Sequence, residues 1–471
     1  MQALTAPLRE LADFDRILEY INTPPKKTGG AMGLSGCVDS EKLHLIYGLS
    51  DGIKYKLIIT HNDIRAREIL EEYQFYDRNV MLYPAKDLIF FQADIHGNKL
   101  TKERICLLKR VMEGRPVTIV TTFAALMSPQ VVWDPEKDVI CIRKGGSLDI
   151  REISARLVNM GYEKTYQVES AGQFSVRGGI LDIFDLTEEN PYRVELWGDE
   201  VDSVRSFDIL SQRSIEQLTE IRIFPAAEFV MSDEKVRSGL EKIEKEAKKQ
   251  EKVFRDSHRP EEAQRIMVQL RELKEQLVEF KSLVNLESYV RYFFDDLLTL
   301  PEYLLKLNDS TVFFVDEPLR VREQAESVEL EFRESMKQRA EKGYILPGQM
   351  DILYGGERTA AGMQGGRVVT LSTMENRGGF FKITQKYDIN ARNIAPYNNS
   401  FDSLLKDLKQ YKKNGCRVLL LSGSRTRAKR LAEDLREQEI SAVYTEDPMR
   451  EVIPGEVLTY YGHVAKGFEY P

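Results

Sequence analysis

Four short apolar runs constrain this chain more than any other feature: YKLIIT (55–60), VTIVTT (117–122), TVFFVDEP (311–318) and VVTLST (368–373). None shows the polar–apolar alternation of a one-sided strand, so each is expected to be a strand buried on both faces of a sheet. The first leads into HNDIRAREILEEYQF, where Asn62 or Asp63 can cap a helix carrying Ile64, Ile69, Leu70 and Tyr73; the second leads into FAALM in the same way. Strand, hydroxyl or amide, helix, strand is the rhythm of a parallel sheet with crossover helices.

That rhythm is interrupted near residue 148. YQVESAGQFSVRGGILDIFD and YRVELWGDEVDSVRSFD alternate in strand fashion between Gly-rich turns, without long helices. They predict a β-rich module over 148–226, large enough for a modest core. Helices return at Ser232, a cap whose helix places Val236, Leu240, Ile243 and Ala247 on one face; Ile266, Leu270, Leu273 and Leu277 repeat the spacing. This stripe is too short for a sustained coiled coil and reads as a packed helical pair. The runs at 311–318 and 368–373 should rejoin the first sheet. A polar stretch, ARNIAPYNNS, then precedes helix, strand and helix of a smaller unit. The expected fold is therefore α/β, a parallel-sheet lobe (1–147 and 227–390) interrupted by an inserted β-rich module (148–226), followed by a small α/β domain (398–471). The strand-like ending, GHVAKGFEYP, suggests a piece of a longer protein.

Composition narrows function. At 471 residues, 42% hydrophobic and 30% charged, the chain has no membrane-length apolar run and no secretory start. Cys37, Cys106, Cys141 and Cys416 are far apart, which suggests a reducing, cytoplasmic setting, and no His/Cys cluster has metal-ligand spacing. Lys plus Arg is 67 against 75 Asp plus Glu, a net charge of −8. That balance points toward protein partners rather than a grip on phosphates.

MGLSGCVDSEK (32–42) precedes a helical segment, the right context for a phosphate loop, yet its Gly-Lys pair is replaced by Val38-Asp39. Gly33, Gly36 and Ser40 stand where two loop glycines and the terminal hydroxyl would be. Asp39 in place of lysine adds repulsion against a triphosphate of roughly 4 kcal/mol per phosphate charge, at about 4 Å and an effective dielectric near 20. Lys42 could substitute only by reaching back from inside the helix, which the spacing makes unfavourable. Asp316-Glu317, where a Mg²⁺-holding pair would sit, is then expected to be a vestigial acidic pair capping a neighbouring turn. Ser422-Gly423-Ser424 before Arg425 and Arg427 reads as an N-cap with solvated arginines rather than a ligand site.

The loop, the β module and the Asp-Glu strand end occur in an order that resembles the UvrB family of bacterial nucleotide excision repair. GQFSVRGGILDIF (172–184) resembles G-x-F-x-V-R-G-x-x-x-D-I-F of the family's UvrA-binding insertion, and YRVELWGDE (192–200) its next strand pair. Two departures, the missing lysine and a stretch at 81–105 too short and Tyr-poor for a strand-threading aromatic hairpin, separate the chain from UvrB itself. A degenerate UvrB-like module followed by a small third domain is similar to the N-terminal region of the transcription-repair coupling factors, a DNA-damage-responsive family. The resemblance implies a non-catalytic adaptor that recruits UvrA to stalled RNA polymerase. No cofactor is expected here: the family's ATP- and Mg²⁺-dependent translocase motor, and its contacts to RNA polymerase and double-stranded DNA, would lie beyond residue 471. It also implies UvrA contacts on the insertion. Strand alternation puts Tyr192, Val194 and Leu196 on one face and Arg193, Glu195 and Trp197 on the other; the second face, with Arg177, is the expected partner surface, and Phe174 is included as a further contact although Phe174 and Phe184 taken singly read as core. The alternative is a divergent, active UvrB-type ATP-dependent repair subunit.

Overall fold

The computed structural model describes residues 2–24, 30–86, 97–279, 286–375, 378–397, 400–447 and 449–471. Residues 87–96, on which the comparison with an aromatic hairpin rests, lie outside them. Strands β1 (Ala31–Ser35), β2 (Tyr55–Thr60), β3 (Val80–Tyr83) and β4 (Val117–Thr122) come first. The chain then builds the module from β5 (Ile140–Arg143), β6 (Glu163–Lys164), β7 (Gln173–Arg177), β8 (Ile180–Ile183), β9 (Tyr192–Trp197), β10 (Glu200–Phe207), β11 (Ser214–Leu218) and β12 (Glu220–Ile223). It returns with β13 (Val312–Asp316), β14 (Arg367–Leu371) and β15 (Ile383–Asp388), and ends with β16 (Arg392–Asn393), β17 (Val418–Ser422), β18 (Ala442–Tyr444), β19 (Val457–Tyr461) and β20 (Phe468–Glu469).

Seven of these form one parallel sheet in the order β15-β1-β14-β13-β2-β4-β3, so strands from both sides of the module share a single core. The four apolar runs are its central strands, and every residue of β2, β4, β13 and β14 is buried. Successive side chains enter opposite layers: Leu57, Ile119, Phe313 and Val315 pack on one face, Ile58, Val120, Phe314 and Val369 on the other. Asn62 caps the helix after β2, its Oδ1 accepting from Arg65 N at 2.8 Å. β15, a half-exposed edge strand, was not legible because its residues ITQKYD carry too few apolar side chains.

The module is a six-stranded sheet, β11-β10-β9-β8-β7-β6, with a β5–β12 pair beside it. Ile140 and Ile142 belong to its core, so as folded it begins upstream of the expected residue 148. A buried ionic junction just past β12 ties the two parts of the lobe together where the module leaves it. Arg104 stacks 3.9 Å over Tyr83 and donates to Glu228 at 2.8 Å, while Lys86 reaches the same carboxylate at 2.7 Å. The helices Asp233–Asp256 and Pro260–Glu279 pair along the expected stripe, with Ser232 capping the first. No helix among the described residues is long and apolar enough to cross a membrane.

The third unit has a three-stranded parallel sheet, β17-β19-β18, packed by the helices Phe401–Lys413 and Arg425–Glu437. Ser424 is an N-cap, accepting from Arg427 N at 3.2 Å, and Arg425 and Arg427 are exposed. The ribbon β16–β20, unforeseen from the sequence, joins the chain after β15 to the segment after β19.

Candidate functional site: a loop–helix ion pair and a charged strand face

β1 ends at Ser35, and the helix Asp39–Gly48 begins four residues later. Gly36 has φ +68°, and a Cβ there would lie 2.3 Å from Asp388 Oδ1. The geometry corrects the expectation for Lys42. Its side chain, only 2% exposed, does reach back: Nζ lies 2.8 Å from Asp316 Oδ1 and 2.7 Å from Glu317 Oε1. The reach is possible because Lys42 is on the helix face turned toward the end of β13. Burial alone would depress the Lys42 ammonium, but the two carboxylates more than offset this and hold its pKa above the ordinary value. Burial likewise opposes ionisation of Asp316, yet Lys42, Arg65 and Thr60 hold its pKa low; Thr60 Oγ1 donates to it at 3.1 Å. Glu317 behaves in the same way, held low against burial by Lys42 and Thr373.

Glu317 also accepts from Thr373 N at 2.9 Å and Thr373 Oγ1 at 2.8 Å, so the expected turn-capping role is present beside the ion pair. Asp39 is half-exposed, 4.0 Å from Lys42 and 3.8 Å from Arg65. An ammonium thus sits between the two carboxylates at the end of β13. Among the described residues no group of three or more His, Cys, Asp or Glu could hold a metal.

Deeper in the helix two titrations oppose each other. Burial pushes Glu41 up to about 7, against the pull of Val38 N–H on Oε2 at 3.2 Å. Burial lowers His44 to about 4, against the Leu4 carbonyl 2.7 Å from Nε2. A carboxyl with a raised folded pKa loses stability as pH rises from its ordinary value, near 4.5, to 7. An imidazole with a lowered folded pKa gains stability as pH rises from 4 to 6.5. The two slopes largely cancel between pH 4.5 and 6.5. Glu41→Gln is expected to unmask the histidine, giving stability that climbs with pH over that window and exceeds wild type above pH 7. Urea midpoints from pH 4 to 8 measure this, and parallel wild-type and variant curves would contradict it.

In the module, Val194 is core and Arg193, Glu195 and Trp197 lie on the opposite face, as alternation requires. Phe174 corrects the expectation: it is 0% exposed and lies in the module core, because its register opposite Ile183 turns it inward, so it cannot contact a partner. The residue missed was Asp182. It stands opposite Arg193 in register and organises the outer face, accepting from Arg193 Nε at 2.6 Å, Arg193 Nη2 at 2.8 Å and Arg177 Nη2 at 2.9 Å. Arg193 is further held over the Phe207 ring at 4.3 Å and by Gln212 at 2.9 Å. Glu195 pairs with Arg205 at 2.6 Å and accepts from Ser203 at 2.8 Å. Trp197 projects at 85% exposure, and the Arg177 side chain is 34% exposed.

A parallel α/β lobe split by a β module with a charged and aromatic outer face frames both sites. Residues 140–229 match the family model for the UvrB interaction domain. The chain is similar to the transcription-repair-coupling factor of Bacillus subtilis (strain 168), 28% identical over 470 residues that cover 98% of this chain and 39% of that protein. It is also 26% identical over 424 residues to the transcription-repair-coupling factor of Staphylococcus aureus (strain Mu50 / ATCC 700699), covering 88% of this chain and 35% of that protein. Similarity over almost the whole chain, with the interaction domain inside it, supports the N-terminal region of a transcription-repair-coupling factor. The chain spans about two fifths of the length of the curated relatives it matches.

Proposed function

We propose that this chain is a recruitment adaptor in transcription-coupled repair: the outer face of the β module binds UvrA, and the phosphate loop neither binds nor hydrolyses nucleotide. The observation that supports this best is the interaction-domain match over 140–229, on a module whose outer face presents Arg177 and Trp197. Arginine and tryptophan are the residues most enriched among interface anchors. The non-hydrolysing reading rests on Asp39 in the lysine position and on the Lys42 ammonium between Asp316 and Glu317.

Two measurements test the proposal. Immobilised UvrA should retain the whole chain and release it when residues 140–229 are replaced by a short linker. Titration with MgATP should show neither micromolar binding nor hydrolysis above background. Retention without the module would move the UvrA contact elsewhere, and turnover of ATP would favour a divergent active repair subunit instead.

A further inference from the structure

We infer that the phosphate-loop remnant is kept as an internal dock for the segment 462–470 of the third α/β unit. This rests on reading the loop as one that does not bind nucleotide. In a working loop the terminal hydroxyl must be open to a hydrated metal ion. Here Ser40, in that position, is 1% exposed, and its Oγ accepts the backbone N–H of Lys466 at 3.1 Å. One turn on, His44 is fixed at both ring nitrogens. Nε2 can only donate to the Leu4 carbonyl, so Nδ1 accepts from the Tyr470 hydroxyl at 2.9 Å. Phe468 and Tyr470 pack around the same imidazole, with ring centroids 5.5 and 5.7 Å away.

Two further contacts lock the segment. A Cβ at Gly462 would lie 2.1 Å from the Phe75 ring, so bare backbone is pressed against that ring. β20 pairs with β16, whose strand begins just after Ala391, the residue whose N–H donates to the Gly36 carbonyl at 2.9 Å. The loop glycines have reasons to persist that need no phosphate. Added Cβ atoms would meet Asp388 Oδ1 at 2.3 Å from Gly36 and Ile383 Cγ2 at 3.0 Å from Gly33. Elsewhere Arg417 pairs with Glu10 at 2.5 Å, and Leu458 and Val452 pack with Ala3. The loop, its hydroxyl and the helix behind it therefore serve as a joint that makes the third unit a rigid extension of the lobe.

Hydrogen exchange on the full chain tests the joint. The amides of Lys466, which donates to Ser40 Oγ, and Glu469, which stands opposite Arg392 in the β16–β20 ladder, should be protected in the native protein. Gly462→Val should speed their exchange by roughly tenfold or more, the read-out of a lower local opening free energy. Strands β8 and β9 of the module should keep their wild-type exchange. Phe75→Ala/Gly462→Val, which restores room for the side chain, should recover the protection. Unprotected Lys466 and Glu469 amides in the wild type, or wild-type protection in Gly462→Val, would overturn the joint even where MgATP fails to bind. Nucleotide binding by a chain whose segment stays protected would instead overturn the reading of the loop.

Discussion

Lys42→Met is expected to destabilise the fold by about 3–5 kcal/mol, because it strands two carboxylates rather than merely losing one contact. Asp316 is buried at the end of β13, and Lys42 is its shortest ionic partner at 2.8 Å; Arg65 Nε stands at 3.5 Å and can compensate only in part. The sign with pH follows from the shifts. In the wild type, Asp316 and Glu317 have lowered folded pKa values, so their contribution is present above the ordinary carboxylate range and is lost as pH falls through the lower folded values. Lys42 has a raised folded pKa, so its contribution holds below about 10.5 and is lost only as pH rises through the higher folded value. In Lys42→Met the burial of Asp316 is no longer offset. Its pKa should rise, and the variant should become more stable on acidification from pH 7 toward 5. Lys42→Met/Asp316→Asn/Glu317→Gln, with no charge left to strand, should recover most of the loss. Urea unfolding of the three proteins at pH 7 and pH 5 measures all of this. A single variant within about 0.5 kcal/mol of wild type would show that the ion pair contributes nothing net.

The sheet was readable because buried parallel strands carry continuous apolar runs, and four of its seven strands do. The edge strand β15 and the two-residue strands β16 and β20 carry no such signal, since their pairing is decided by distant partners. Alternation placed Val194 inside and Arg193, Glu195 and Trp197 outside correctly. It could not say that Phe174 faces inward or that Asp182 gathers two arginines, because both depend on the register of β7, β8 and β9. Lys42 shows the same limit at longer range. Its partners are more than 270 residues away in sequence, and only the seating of the helix Asp39–Gly48 against β13 brings them together.

Register also decides which outer-face residue would separate the proposed UvrA binding from folding. Glu195 and Arg193 are poor choices. Glu195→Arg would set a third guanidinium beside Arg193 and Arg205, and Arg193→Ala would remove both short bonds to buried Asp182 along with the contact to Phe207. Folding and binding would change together in either variant. Trp197 and Arg177 are different. Trp197 is 85% exposed, so its removal should change stability by no more than about 0.5 kcal/mol, as for an ordinary surface position. Arg177→Ala deletes one bond to Asp182, but the two from Arg193, at 2.6 and 2.8 Å, keep that carboxylate compensated. At an interface the balance reverses. Truncating a buried tryptophan anchor costs about 2 kcal/mol or more, roughly 30-fold in affinity, and a desolvated arginine about 2–5 kcal/mol. Trp197→Ala and Arg177→Ala should therefore melt like wild type and bind UvrA at least about 30-fold more weakly, whereas Val194→Ala, in the module core, should lower both. Thermal midpoints and UvrA affinities on the three variants decide the matter. Full-strength binding by both Trp197→Ala and Arg177→Ala would place the UvrA contact off this face, and a lowered melting point for Arg177→Ala would make that arginine a structural partner of Asp182 rather than an anchor.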